Sequence, residues 1–319
     1  MPKMTVISPG ALSTIQDTGR FGYMSTGFSP NGAMDIYSMK IANILVGNAL
    51  NDGVVEMTLL GMSVRFDCTS VIALTGADMQ PEINGEAVEM YTAHEVHDGD
   101  VLVLKAAQTG LRTYLAVAHG FDITAVMGSM STNLKCSLGG FMGRKLCAGD
   151  EIPLRQSISL ELIGKRRAKC ENNYTLTVTA RVMLGPQDDL FTDEGIKTFL
   201  SSEYTVSDKS DRMGVRLDGD MIENKNGVDI ISDGIATGSV QIPASGTPII
   251  MMADRQTTGG YAKIATVISA DLHKIAQARP GTKVRFKAVD EKTALELKKK
   301  QEQKLKALQY RMLYAYKEN

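Results

Sequence analysis

Up to about residue 290, the chain is a succession of short apolar runs rich in Val, Ile, Leu and Thr, each bounded by Gly, Asp or Asn. Val71–Thr75, Val101–Leu104, Tyr114–Ala118, Leu176–Val182 and Ile249–Ala253 are examples. Runs this short, between turn-forming residues, predict strands. Two-residue turn signals recur at Asn84–Gly85, Asp98–Gly99, Asp218–Gly219 and Ser245–Gly246. The expected fold class is therefore mainly β with few short helices. Met34–Val46 is predicted helical, with apolar residues at 34, 37, 41, 44 and 45 and a stop at Gly47. Asp271–Ala278 is a second short helix, ended by Pro280, and a third lies near Asp193–Leu200.

From Glu291 the composition changes. The remaining residues contain no Gly or Pro and are strong helix formers. Leu305, Leu308, Met312 and Ala315 recur at helical spacing. Such a C-terminal helix can pack on its own body or dock a partner, and one stripe does not choose between them.

The 319 residues are 43% hydrophobic, enough for two lobes with buried cores. A formal charge of −1 provides no overall field for nucleic acid or an anionic membrane. The N-terminal stretch has no signal-peptide apolar core, and no apolar run approaches the roughly 20 residues of a membrane helix. A cytoplasmic protein is expected. Cys68, Cys136, Cys147 and Cys170 form no C-x-x-C pair and are expected as reduced thiols. Residues 101–122 and 248–269 share an order of apolar strand, Gln-Thr turn, Tyr and second apolar strand, which hints at duplication. The expected organisation is two β lobes, 1–165 and 166–290, and a helical tail, 291–319.

Four polar islands interrupt the β pattern. "IQDTGRFGYMSTGFSPNGAMD" (15–35) holds Gln16, Asp17, Arg20 and Asp35 among glycines and prolines. Such a loop can bind a small polar ligand bidentately; it can equally be a solvated loop pinned by an Asp–Arg pair. In residues 126–150, Gly128, Ser129, Ser131 and Thr132 could cradle an anion with backbone N–H groups. "SDKSDRMGVRL" (207–217) crowds Asp211, Arg212 and Arg216 at a turn. The fourth island, Asp254 to Tyr261, lies between two strands too apolar for a wet edge. A polar insert anchored in that way is a place for rigidly held binding residues.

His94 and His97 have a spacing that suits a metal only on a helix. Met90–His97 reads as a strand, on which residues three apart face opposite ways, so no metal is assigned.

Taken together the islands resemble the allophanate hydrolase subunit two family, also called the biotin-dependent carboxyltransferase family. The resemblance rests on "QDTGRFGY" (16–23), "GFSPNGAMD" (27–35), "GSMST" (128–132), "SDRMGVRL" (210–217), "GIATGSVQIP" (234–243) and "DRQTTGGY" (254–261). Two positions depart from the family pattern. Met130 stands where Arg is usual between the serines, and His119 stands where Gly is common. The resemblance implies cyclophilin-like β-barrel lobes. It implies a subunit of an ATP-dependent oxoprolinase, working with a PxpB- or KipI-like subunit and a PxpA-like subunit. ATP, with magnesium, would act in the assembled complex, where phosphorylating a lactam oxygen creates a leaving group for attack by water. Two alternatives come with the family. One is the carboxyltransferase part of a biotin-dependent urea carboxylase, the only reading that needs biotin. The other is a KipA-like regulator that binds a kinase inhibitor.

By motif position, the resemblance implies Asp17, Asp35, Asp254 and Arg255 as catalytic candidates, the carboxylates for acid–base work or for orienting arginines. Arg20, Arg212 and Arg255 are the anion-binding candidates. Gln16, Gln256, Thr257, Thr258 and Tyr261 would contact substrate, and Gly259 and Gly260 would admit it.

Overall fold

Two sheets account for the apolar runs of the first half of the chain. The computed structural model describes residues 1–156, 166–169, 174–225 and 227–314. It divides into two units. The first is drawn from Met1–Arg20, Asn31–Asn173 and Gln303–Asn319; the second from Phe21–Pro30 and Tyr174–Glu302. The expected lobe boundary at 165/166 and Cys170 abut or fall within segments outside the described residues, as does Ala315.

In the first unit a six-stranded sheet runs in the order β11 (Glu151–Pro153), β1 (Lys3–Ser8), β4 (Ser63–Phe66), β9 (Val101–Val103), β6 (Glu82–Ile83), β7 (Glu86–Ala87). A five-stranded sheet runs β2 (Leu12–Gln16), β3 (Val54–Thr58), β10 (Thr109–Val117), β5 (Ser70–Asp78), β8 (Ala93–Val96). Between them lies a core of Met4, Val64, Phe66 and Leu102 against Ile15, Met57, Leu74 and Leu115. The other face of the five-stranded sheet is covered by α1 (Ile36–Val46) and by Leu305, Leu308 and Met312 of α4 (Glu291–Tyr314). Burial on both faces explains why β5 reads as a continuous apolar run rather than an alternating one. It also places the tail stripe on the protein's own body. Asn84 and Gly85 join β6 to β7 with positive φ at both residues (53° and 85°), as an Asn-Gly hairpin turn requires.

The second unit contains a closed barrel. Its order is β12 (Thr177–Leu184), β19 (Lys263–Val267), β16 (Ser239–Gln241), β17 (Ile249–Met251), β14 (Gly214–Asp218), β13 (Glu203–Val206), β20 (Lys283–Ala288). An odd ring of strands cannot alternate direction all the way round, and the β12–β20 pairing is the parallel one. Side chains alternate along the barrel strands: Val215 and Leu217 point in while Arg216 and Asp218 point out. A separate two-stranded ribbon pairs β15 (Asp229–Gly234) with β18 (Thr258–Tyr261). The helices α2 (Asp193–Ser201) and α3 (Leu272–Ala276) fall where expected, α3 shorter than its predicted span because Asp271 belongs to a 3-10 turn and Gln277 is already the C-cap.

The mainly β expectation, with few helices and a C-terminal helix, is borne out. The suspected duplication does not extend to topology. β9 and β10 belong to different sheets, whereas β17 and β19 share one barrel. Tyr114 is buried in mid-strand, whereas Tyr261 is exposed at a ribbon end. Among the described residues no helix is long and apolar enough to cross a membrane.

Asp271 ties α3 to the barrel. Its buried carboxylate accepts from Arg181 Nε (2.7 Å) and Nη2 (2.6 Å) and pairs with Lys274 Nζ (2.7 Å). Burial pushes this carboxyl up, but the Arg181 and Lys274 hydrogen bonds outweigh it and hold it below the usual range. A depressed carboxyl stabilises above its unfolded value of about 4 and loses that contribution as pH falls through the folded value. Asp271→Asn is expected to cost roughly 2–3 kcal/mol at pH 7. The mutant should also show a shallower loss of thermal stability below about pH 4, measured by melting both proteins between pH 7 and pH 3.

Candidate functional site

In the first unit the loop after β2 is built around a buried carboxylate. Asp17 Oδ1 accepts from Gly19 N (2.8 Å), Ser129 Oγ (2.7 Å) and Ser131 Oγ, and Oδ2 accepts from Met130 N (2.6 Å). The serine-rich loop read as an anion cradle is thus a cradle, and its anion is Asp17. Arg20 lies beside it, 1% exposed. Its Nε donates to Val126 O (3.1 Å), Nη1 to Asn31 Oδ1 (3.1 Å) and Nη2 to Ser131 O (2.9 Å). Burial pushes the guanidinium down from its ordinary value, and nearby Asp17 opposes that. Gln16 donates Nε2 to Thr14 Oγ1 (3.0 Å) and Thr132 O (3.2 Å). Both close glycines of this region matter sterically: a Cβ on Gly140 would overlap Thr132 Oγ1, and one on Gly139 would overlap Ser131 O.

The departures from the family pattern have visible consequences. The Met130 side chain packs partly buried against the core between the sheets, so this position faces inward. His119 takes a turn conformation with φ 62°.

Asp35 stands on a different network. It caps α1, accepting from Ser38 N (2.9 Å) and Ser38 Oγ (2.7 Å). Its own N–H donates to Tyr114 Oη (2.8 Å), which donates to Glu56 Oε2 (2.8 Å). Burial, then Glu56 and Asp35, push the Tyr114 phenol well above its ordinary value. Asp35 therefore does the work of a helix cap inside a buried network.

In the second unit the 254–261 island resolves into a turn and a strand. Asp254 receives a fork from Arg212, with Nε to Oδ2 at 2.9 Å and Nη2 to Oδ1 at 3.2 Å. Arg255 is 4% exposed and donates only to carbonyls, from Nε to Ile235 O (2.8 Å) and from Nη1 to Met252 O (3.3 Å). Among the described residues it makes no ion pair. Burial alone brings this guanidinium down to about 10. Its backbone oxygen accepts from Ser29 Oγ, which docks the 21–30 segment. Thr258, Gly259, Gly260 and Tyr261 form β18 rather than a turn. Gly259 is closely walled: a Cβ there would lie 2.7 Å from Ile235 Cδ1 and 3.2 Å from both Gln241 Nε2 and Gln256 Nε2.

Comparison with known proteins places the chain. The family model for the carboxyltransferase domain, subdomain A and B, matches residues 26–288. The chain belongs to that carboxyltransferase-domain family. It is 36% identical to the C subunit of Escherichia coli 5-oxoprolinase over 311 residues, 97% of this chain and 98% of that protein. It is 37% identical to the C subunit of Haemophilus influenzae 5-oxoprolinase over 91% of this chain and 92% of that one. The crystal structure of the Kluyveromyces lactis urea carboxylase superimposes with a TM-score of 0.88 at 29% identity over 96% of this chain. This chain spans 29% of that structure's length.

Within this carboxyltransferase-domain chain, three buried cations lie outside the motif candidates, Arg112, Arg166 and Lys263, and of these Lys263 belongs to the second unit. Lys263, 2% exposed, lies on β19 and donates from Nζ to Asp233 Oδ2 (3.1 Å). Gln187 joins them, accepting from Lys263 N (3.1 Å) and donating to Asp233 Oδ2 (3.4 Å). The available signal is a lysine near the start of the apolar run Ala262–Ile268. Among the described residues, no three His, Cys, Asp or Glu side chains gather as a metal site.

Replacing Asp17 by Asn keeps one acceptor oxygen and puts an NH2 in place of the other, so that at least Met130 N, or the three donors of Oδ1, faces a donor instead of an acceptor. Asp17→Asn is expected to lower stability by about 2–3 kcal/mol, read from urea denaturation. Unchanged stability would mean that the serine loop does not depend on this carboxylate.

Proposed function

We propose that this chain is a subunit of an ATP-dependent oxoprolinase, which opens 5-oxoproline to glutamate together with PxpB-like and PxpA-like partners. The observation that carries this reading is the 36% identity over 98% of the length of the C subunit of a 5-oxoprolinase. The chemistry of the second unit supports it. A guanidinium buried without a carboxylate is costly unless an anion completes it, and Arg255 is in that condition. A substrate carboxylate, or the oxyanion formed when water adds to an activated lactam, would complete it and be stabilised in return. The Arg212–Asp254 fork fixes the backbone on which Arg255 stands. Gly259 keeps β18 flush against Ile235 and Gln241.

ATP is assigned to the assembled complex. Two candidate phosphate cradles in this chain drop out: the Walker pattern is absent, and the donors of the serine loop already hold Asp17. Asp17 and Asp35, whose oxygens are engaged inside the first unit, are proposed to position loops rather than to exchange protons. The likeness to a urea carboxylase structure supports a second reading, the carboxyltransferase part of a biotin-dependent urea carboxylase.

The test is oxoproline-dependent ATP hydrolysis by the chain alone and with its cognate subunits. Turnover is expected only in the full mixture. Arg255→Ala is expected to reduce it roughly 10²–10³-fold while the complex still elutes intact on size exclusion. A stably assembled complex that turns over urea with biotin carrier, and no oxoproline, would favour the second reading.

A further inference from the structure

Lys263 and Asp233 are an unequal pair. The ammonium is 2% exposed and has one side-chain acceptor among the described residues, although it carries three N–H donors. The Asp233 side chain is 55% exposed. It sits on β15, most of whose residues are exposed and whose only strand partner among the described residues is β18. A two-stranded ribbon is marginally stable by itself in water, so this is the part of the second unit that opens at least cost. The body's cation is fixed and its anion is on the ribbon.

Arg255 reaches the same stretch. It donates to Ile235 O, two residues beyond Asp233. At an extended rise of about 3.3 Å per residue the two anchor points are roughly 7 Å apart. Two buried cations with donors to spare therefore flank one short segment.

We propose, resting on the oxoprolinase reading, that the Asp233 carboxylate is a built-in stand-in for a substrate carboxylate. A small carboxylate ligand replaces Asp233 on Lys263 as the β15–β18 ribbon shifts, and Arg255 takes a second oxygen of the same molecule. The exchange of one carboxylate for another keeps the buried ammonium paired throughout, so it is never stranded without an anion. Lys263 is then the residue that selects ligands bearing a carboxylate, and Asp233 sets how much ligand is needed to win the site.

The experiment measures melting temperature of the full chain against increasing 5-oxoproline, acetate and 2-pyrrolidinone, the last lacking a carboxylate. Asp233→Asn is expected to lower the half-maximal concentration of acetate and of 5-oxoproline about tenfold, because the competing internal anion is gone. 2-Pyrrolidinone should not distinguish the two proteins. Lys263→Met, or Lys263→Gln if the first fails to fold, should abolish the response to both carboxylates. Asp233→Asn behaving as wild type towards both carboxylates overturns the proposal. A shift for acetate without one for 5-oxoproline upholds the stand-in role and counts against the oxoprolinase reading instead.

Discussion

The second unit depends on how its barrel closes. Seven strands leave one pair that must run parallel, and β12 and β20 make that seam over six paired residues. Closure removes sheet edges and gives every barrel strand a defined inner and outer face. Lys263 is then committed to the buried interior, although its ammonium must reach a carboxylate. Arg255, in the chain between β17 and β18, is drawn under the backbone of residue 235. The two buried cations follow from barrel geometry, with the β15–β18 ribbon as the only strand pair of this unit, among the described residues, outside the ring.

Both units solve the same electrostatic problem in different ways. Burying a charge costs heavily unless a partner is buried with it. In the first unit the answer is permanent: Asp17 is enclosed by hydroxyl and amide donors, and the loop that could have held an external phosphate is already filled. In the second, Lys263 is satisfied from a wet strand, and Arg255 by carbonyl oxygens alone. The first arrangement makes a scaffold and the second leaves capacity for an incoming anion.

Much of the fold could be read from the sequence because it rests on local rules. The Asn84–Gly85 turn, the stop at Gly47 and the buried run of β5 each follow from a few neighbouring residues. The serine loop could be recognised as an anion cradle, but its occupant lies more than a hundred residues away in sequence, and no local pattern names it. Asp35 is a candidate by motif position, and its place as the cap of α1 appears only in three dimensions, because a carboxylate in a glycine-rich loop and a carboxylate capping a helix look alike in one. Lys263 is silent for the opposite reason: a lone lysine at the start of an apolar strand is informative only once burial is known. Topology also separated the two look-alike segments, whose strands share an order but not a sheet.

The packing of Leu305, Leu308 and Met312 into the first unit bears on the order in which the protein can mature during synthesis. The face of the five-stranded sheet that they cover is made by residue 118, yet its cover emerges only after the whole barrel, through residue 288, has been translated. Until then α1 alone covers that face, and the part of it that Leu305, Leu308 and Met312 will cover stays open. A segment made after the barrel therefore acts as the bolt of a part made before it.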